Sequence, residues 1–120
     1  MTSPIDSTMT KSSALPIEIT PRDLAQRLAA GERLLVIDVR EPWEHQICRI
    51  EGARLIPMGS VPVHLQSIGN GDHVVCYCHH GKRSLDVVRL LRQHGVETAQ
   101  SLAGGIERWS TEIDPKVPRY

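Results

Sequence analysis

Neither sign of charge is in excess in this chain: Lys plus Arg and Asp plus Glu each total 14 of 120 residues, a formal net charge of zero. That balance removes the electropositive footprint of a dedicated nucleic-acid binder, so any anion site must be built locally. No run approaches the ~20 apolar residues needed to cross a bilayer, so no membrane association is expected. No N-terminal apolar run resembles the core of a signal peptide, and the cysteines Cys48, Cys76 and Cys78 are odd in number. Both absences point away from a disulfide framework and toward a reducing cytoplasm.

With 40% hydrophobic residues, a chain of this length has room for one core and hence one domain. Residues 1 to 15 mix Ser, Thr, Pro and isolated apolar residues without period, and read as a flexible lead-in to a domain over 16 to 120. Thr20, Pro21 and Asp23 form a helix start, and Leu24, Leu28 and the stop at Gly31 complete a short amphipathic helix. Leu34 to Val39 is a continuous apolar run of strand length, as in a strand buried on both faces. A helical turn over 41 to 46, a brief strand over Arg54 to Ile56, and a short helix from Val61 to Ile68 broken by Gly69 and Gly71 are expected next.

The strongest alternation follows. His73 to Cys78 predicts a strand, Ser84 to His94 a helix with Val87, Val88 and Leu91 on one face, Thr98 to Leu102 a strand, and Gly104 to Ser110 a final helix. Such order predicts an α/β fold in three layers, a mainly parallel sheet of about five strands with helices on both faces, and a site at the carboxyl ends of strands.

One strand-to-helix loop has the residues for chemistry: Cys78, His79, His80, Gly81, Lys82, Arg83 and Ser84. A tight turn into a helix start aims backbone amides inward, and the helix terminus adds partial positive charge. Gly81 opens backbone angles closed to other residues. Lys82 and Arg83 add fixed charge, and these terms together favour a Cys78 thiolate over the thiol. Ser84 either donates to the loop or caps the helix.

Four segments in order resemble a known family. The run Cys78 to Ser84, Asp38-Val39-Arg40-Glu41 with Glu44 behind it, Gly52-Ala53, and Leu102-Ala103-Gly104-Gly105-Ile106 with Trp109 look like a rhodanese domain over about residues 17 to 110. The resemblance implies the rhodanese fold, a persulfide on Cys78 and oxyanion binding by the loop residues, Arg83 included. A thiolate so held attacks a donor such as thiosulfate, keeps one sulfur, and yields it to a thiophilic acceptor in a second half-reaction. Relatives acting on phosphate or arsenate have one more residue between Cys and Arg; the four residues here favour sulfur. The tail from Ile113 to Tyr120 resembles the end of rhodanese domains fused to adenylyltransferases of ubiquitin-like sulfur carriers, which hints at a protein donor or acceptor. Cys48-Arg49-Ile50 stands where the family usually has Gly-His-Ile.

Plainer readings stand beside these. Asp38 and Arg40 are expected as an ion-paired brace beneath the loop rather than as substrate contacts. His79 and His80 are either proton donors or exposed loop positions, the second being favoured. Cys76 reads as a buried core residue, and Cys48 as incidental rather than a resolving thiol. Trp109 reads as packing, and Gly104-Gly105 as the reason the last helix starts close to the sheet. A metal cluster of Cys76, Cys78, His79 and His80 is set aside because no second ligand pair has structural-zinc spacing. No metal and no cofactor are implied, and a monomer or weak dimer is expected.

Overall fold

A computed structural model describes residues 15–68 and 72–120. Most of the lead-in, and the helix break assigned to Gly69 and Gly71, lie outside those residues. Five strands, β1 (Glu18–Ile19), β2 (Leu34–Asp38), β3 (Arg54–Leu55), β4 (His73–Tyr77) and β5 (Gln100–Leu102), form one sheet in the order β1-β5-β4-β2-β3. Every pairing is parallel. The helices are α1 (Pro21–Ala29), α2 (Pro42–Ile47), α3 (Leu65–Ile68), α4 (Lys82–Gln93) and α5 (Gly105–Glu112).

The continuous apolar runs have a simple cause. Successive strand side chains face opposite ways, and both faces of this sheet are covered. Val74 and Cys76 of β4 join Ile37, Val87, Val88 and Leu91 in one core, whereas Val75 and Tyr77 join Val36, Leu24, Ile106 and Trp109 in the other. The first core lies beneath α4 and the second beneath α1 and α5. The expected three-layer α/β architecture is the one observed.

Local signals fix several boundaries. The Thr20 hydroxyl accepts the Asp23 amide at 3.1 Å, with Pro21 opening α1. The segment expected as a helix from Val61 instead begins at Met58 and runs to His64 as 3-10 helix, becoming α-helical only at Leu65. Pro62 lies inside it and lacks the amide an α-helical ladder needs. Helix α4 starts at Lys82, two residues before the expected Ser84, because Gly81 takes a φ of +108° and turns the chain at once. Strand β1, absent from the sequence reading, is two residues long, too short to show a period; it is held by Ser101 N to Ile17 O and Ala103 N to Ile19 O, both at 2.8 Å. No helix among the described residues is long and apolar enough to cross a membrane.

Candidate active site

Cys78 follows the last residue of β4, at the carboxyl end of a central strand, and is buried. The amides of Gly81 and Ser84 donate to its Sγ at 3.1 and 3.3 Å. Gly81 at the N-cap of α4 has no side chain to accept the free amides of the first turn, so the sulfur takes that role. The first helical bond runs from Leu85 N to Gly81 O, leaving the amides of Lys82 and Arg83 without an intrahelical acceptor. They provide the anion-binding end that a helix start offers.

Ser84 is fully buried and does not cap the helix. Its hydroxyl lies 2.7 Å from Ser101 Oγ, 3.3 Å from Gly81 O and 3.5 Å from Cys78 Sγ. Lys82 and His80 are exposed, whereas His79 is half-buried, its ring between Tyr120 at 3.9 Å and His80 at 4.0 Å. Burial first, and the neighbouring His80 second, lower the pKa of His79.

Arg83 is paired with α2. Its two amino groups donate to the two oxygens of Glu44 at 2.8 and 2.9 Å. Glu44 also accepts the Glu41 amide at 3.0 Å and the Tyr120 hydroxyl at 2.6 Å. The Arg83 bonds outweigh the opposing effect of burial, and the Glu44 carboxyl is held at about 2.

Beneath this layer lies the brace. Arg40 is fully buried and forks onto Asp38, Nε to Oδ1 at 2.8 Å and Nη2 to Oδ2 at 2.7 Å. It also donates to Cys48 O at 2.6 Å and Tyr120 Oη at 2.8 Å. Burial opposes the charge on Asp38, but hydrogen bonds from Arg40 and His45 prevail and lower its pKa. Tyr77 Oη donates to Asp38 Oδ2 at 3.1 Å and accepts the Ile50 amide at 3.2 Å. A continuous polar chain thus runs Asp38, Arg40, Tyr120, Glu44, Arg83, ending one residue before Ser84.

The last helix closes the loop from the side. Ile106 N and Glu107 N donate to the carbonyls of Cys78 and His79 at 2.9 and 3.1 Å. A Cβ at Gly105 would strike the His79 carbonyl and come 2.6 Å from Cys78 O. Cys76 shares the core of Cys78, and burial pushes its thiol up to about 12. Cys48 packs in the core of the opposite face.

The structure brings Asp38, Arg40 and the loop residues together at one end of the sheet, along with Ser101, Tyr77 and Tyr120, which the sequence analysis does not place there. A serine inside the three-residue buried strand Gln100–Leu102, in register with Cys76, was the one available signal for Ser101.

A tight Cys loop at a strand end, capped by a helix start and braced by a buried Arg–Asp pair, defines a recognisable fold of site. Residues 20–112 match the Rhodanese-like domain. The chain belongs to the rhodanese family. It is 37% identical over 100 residues to a sulfurtransferase of Allochromatium vinosum, covering 83% of this chain and 94% of that protein. It is 36% identical over 104 residues to the probable adenylyltransferase/sulfurtransferase MoeZ of Mycobacterium tuberculosis, covering 85% of this chain but 26% of that one. This rhodanese therefore spans about a quarter of the length of such adenylyltransferase relatives. Among solved structures, the human single-domain sulfurtransferase TSTD1 superposes with a TM-score of 0.74 at 27% identity, over 82% of this chain and 98% of that one. The Allochromatium vinosum sulfurtransferase and TSTD1 are thus each matched over nearly their whole length.

Proposed function

We propose that this rhodanese moves sulfane sulfur from thiosulfate or a persulfide donor to a thiophilic acceptor through a persulfide on Cys78. The observation that carries the reading is the placement of Cys78 Sγ under two donated amides, 3.1 and 3.3 Å away, at the start of α4. The Cys78 thiolate attacks the outer sulfur of thiosulfate. A sulfur–sulfur bond forms at Cys78 as the one in thiosulfate breaks, and the electron pair leaves with sulfite. The free amides of Lys82 and Arg83 face the anion, while those of Gly81 and Ser84 hold the sulfur that bears the charge. An acceptor thiolate or cyanide then attacks the terminal sulfur and Cys78 departs as thiolate, so the two half-reactions give ping-pong kinetics. Cytoplasmic residence is part of the same proposal, in line with the odd number of cysteines in the chain.

Intact mass after brief incubation with thiosulfate tests the reading. The parent is expected to gain one sulfur that cyanide removes, and Cys78→Ala to gain none; no gain in the parent rejects thiosulfate as donor.

A second reading, protein-to-protein relay with little thiosulfate activity, draws on the MoeZ relative, in which the matched segment is one part of a longer chain. Trp43 and Ile47 also lie exposed on α2, the helix that brings Glu44 to the loop, at 59% and 44%. Slow loading by thiosulfate with fast loading by a persulfidated cysteine desulfurase distinguishes this reading from the first.

A further inference from the structure

A second cluster lies at the rim of the Cys78 loop, and no step proposed above is assigned to its side chains. His79, His80 and Glu107 each offer one ligand atom, and the three atoms lie within 4.8 Å of one another. The fold fixes two of them together, because Glu107 N donates to His79 O at 3.1 Å. His80 lies beside them, its ring 4.0 Å from that of His79 and 20° from parallel. Arg119 engages Glu107 through Oε2 at 2.8 Å, while Oε1 stands 3.7 Å from His79 Nε2. That nitrogen is buried and has no hydrogen-bond partner among the described residues. Leaving a buried polar atom unpaired is unfavourable, and a ligand that satisfies it recovers that loss.

We propose that His79, His80 and Glu107 bind one divalent transition-metal ion of the zinc class at the mouth of the Cys78 loop. Two imidazoles and one carboxylate are a zinc donor set with a fourth position open to water or a substrate atom. Magnesium and calcium prefer all-oxygen sites and are disfavoured by the two nitrogens. A ring nitrogen binds in its own ring plane, so bond lengths of about 2.0–2.2 Å require the exposed His80 ring to turn out of its stack on His79 as the ligand atoms close. Placed there, the ion narrows the approach to Cys78 and competes for incoming thiolates. Only this last consequence, reversible inhibition of sulfur transfer, rests on the function proposed above.

Zn2+ titrated into the full, metal-stripped chain and followed by calorimetry is expected to bind with one equivalent. His80→Ala, at an exposed side chain, and Glu107→Gln, at a half-buried one, should each weaken binding by about 10-fold or more, since loss of even an outer-shell partner has that effect. Cys78→Ser and His94→Ala should leave it intact, and Co2+ bound to the parent should show no sulfur-to-metal charge-transfer band. Absence of saturable binding, binding unchanged in His80→Ala or Glu107→Gln, or binding lost in Cys78→Ser overturns the site. In parallel, Zn2+ should slow sulfur transfer by the parent and a chelator restore it, with Glu107→Gln insensitive. If Cys78 fails to load sulfur at all, the calorimetric result still stands, so the two failures are separable.

Discussion

The guanidinium of Arg83 holds both oxygens of Glu44, at 2.8 and 2.9 Å, across 39 residues of sequence. Charge near the sulfur is therefore delivered as a pair rather than as a bare cation, and the pair ties α2 to the start of α4. The cost of that arrangement shows in acid. Glu44 titrates at about 2 in the fold against an ordinary 4.5. A depressed carboxyl adds stability that is complete above its unfolded pKa and disappears as the pH falls through its folded one.

Glu44→Gln is accordingly expected to lose about 1–3 kcal/mol at pH 7, below the toll of a fully buried pair because Arg83 is 37% exposed. Between about pH 4.5 and pH 2 the parent should lose stability more steeply than the variant. Urea midpoints at pH 7 and pH 3 check both statements; parallel acid profiles would remove Glu44 from the account.

Gly105→Ala and Gly95→Ala form a matched pair. Both glycines have positive φ, +64° and +93°, so both substitutions carry the strain of a left-handed alanine, roughly 1–2 kcal/mol. Only at Gly105 does the added methyl meet backbone, the carbonyls of His79 and Cys78; at Gly95 it meets nothing within 4 Å. Gly105→Ala should thus be the less stable of the two and should also lower Cys78 loading, whereas Gly95→Ala should load normally once folded. Equal loading by the two variants would mean that the approach of α5 does not set the loop.

Cys76 and Cys78 are two residues apart and buried in the same core, yet they have different prospects. With Cys76 pushed up to about 12 by burial, alkylation of the native protein at pH 8 should spare it, and Cys76→Ala should still load sulfur. The linkage has an alkaline sign. The unfolded thiol ionises near its ordinary 9.0 while the folded one resists, so stability falls as the pH rises above 9.0. Cys76→Ala should flatten that limb in a denaturation series.

The parts of this molecule legible in sequence are those whose signal is local. The β4, loop and α4 sequence announces itself through β-branched residues, Gly81 and a helical face within 22 residues, His73 to His94. Strand β1 has no such signal, since two residues show no period and its partner β5 is some 80 positions away. The segment Val61 to Ile68 reads as a short helix, but Pro62 removes an amide that an α-helical ladder needs, and the segment up to His64 is 3-10 helix. At the site, Asp38 and Arg40 lie close enough in sequence to be read as a pair. Glu44 was visible only as part of a motif, and its union with Arg83 and Tyr120 comes from the sheet bringing three distant segments to one end.

Tyr120 is the least foreseeable of these, and it is also the simplest to test. Its hydroxyl donates to Glu44 and accepts from Arg40, while its ring stacks on His79 at 3.9 Å and meets Trp43 edge-on at 6.2 Å. Tyr120→Phe keeps the ring and deletes the hydroxyl, which strands a buried Arg40 donor; the expected loss is about 1–3 kcal/mol. Tyr120→Leu also removes the stacking and should cost about 0.5–1.5 kcal/mol more. A spectroscopic check is independent of stability. Burial first, and the Glu44 hydrogen bond second, push the Tyr120 phenol up to about 12, and burial raises Tyr77 further. These are the two tyrosines of the chain, so the native protein should develop little phenolate absorbance near pH 10. A full one-tyrosine titration there would mean that the tail lies away from Glu44 in solution, and Tyr120→Phe would then be close to neutral.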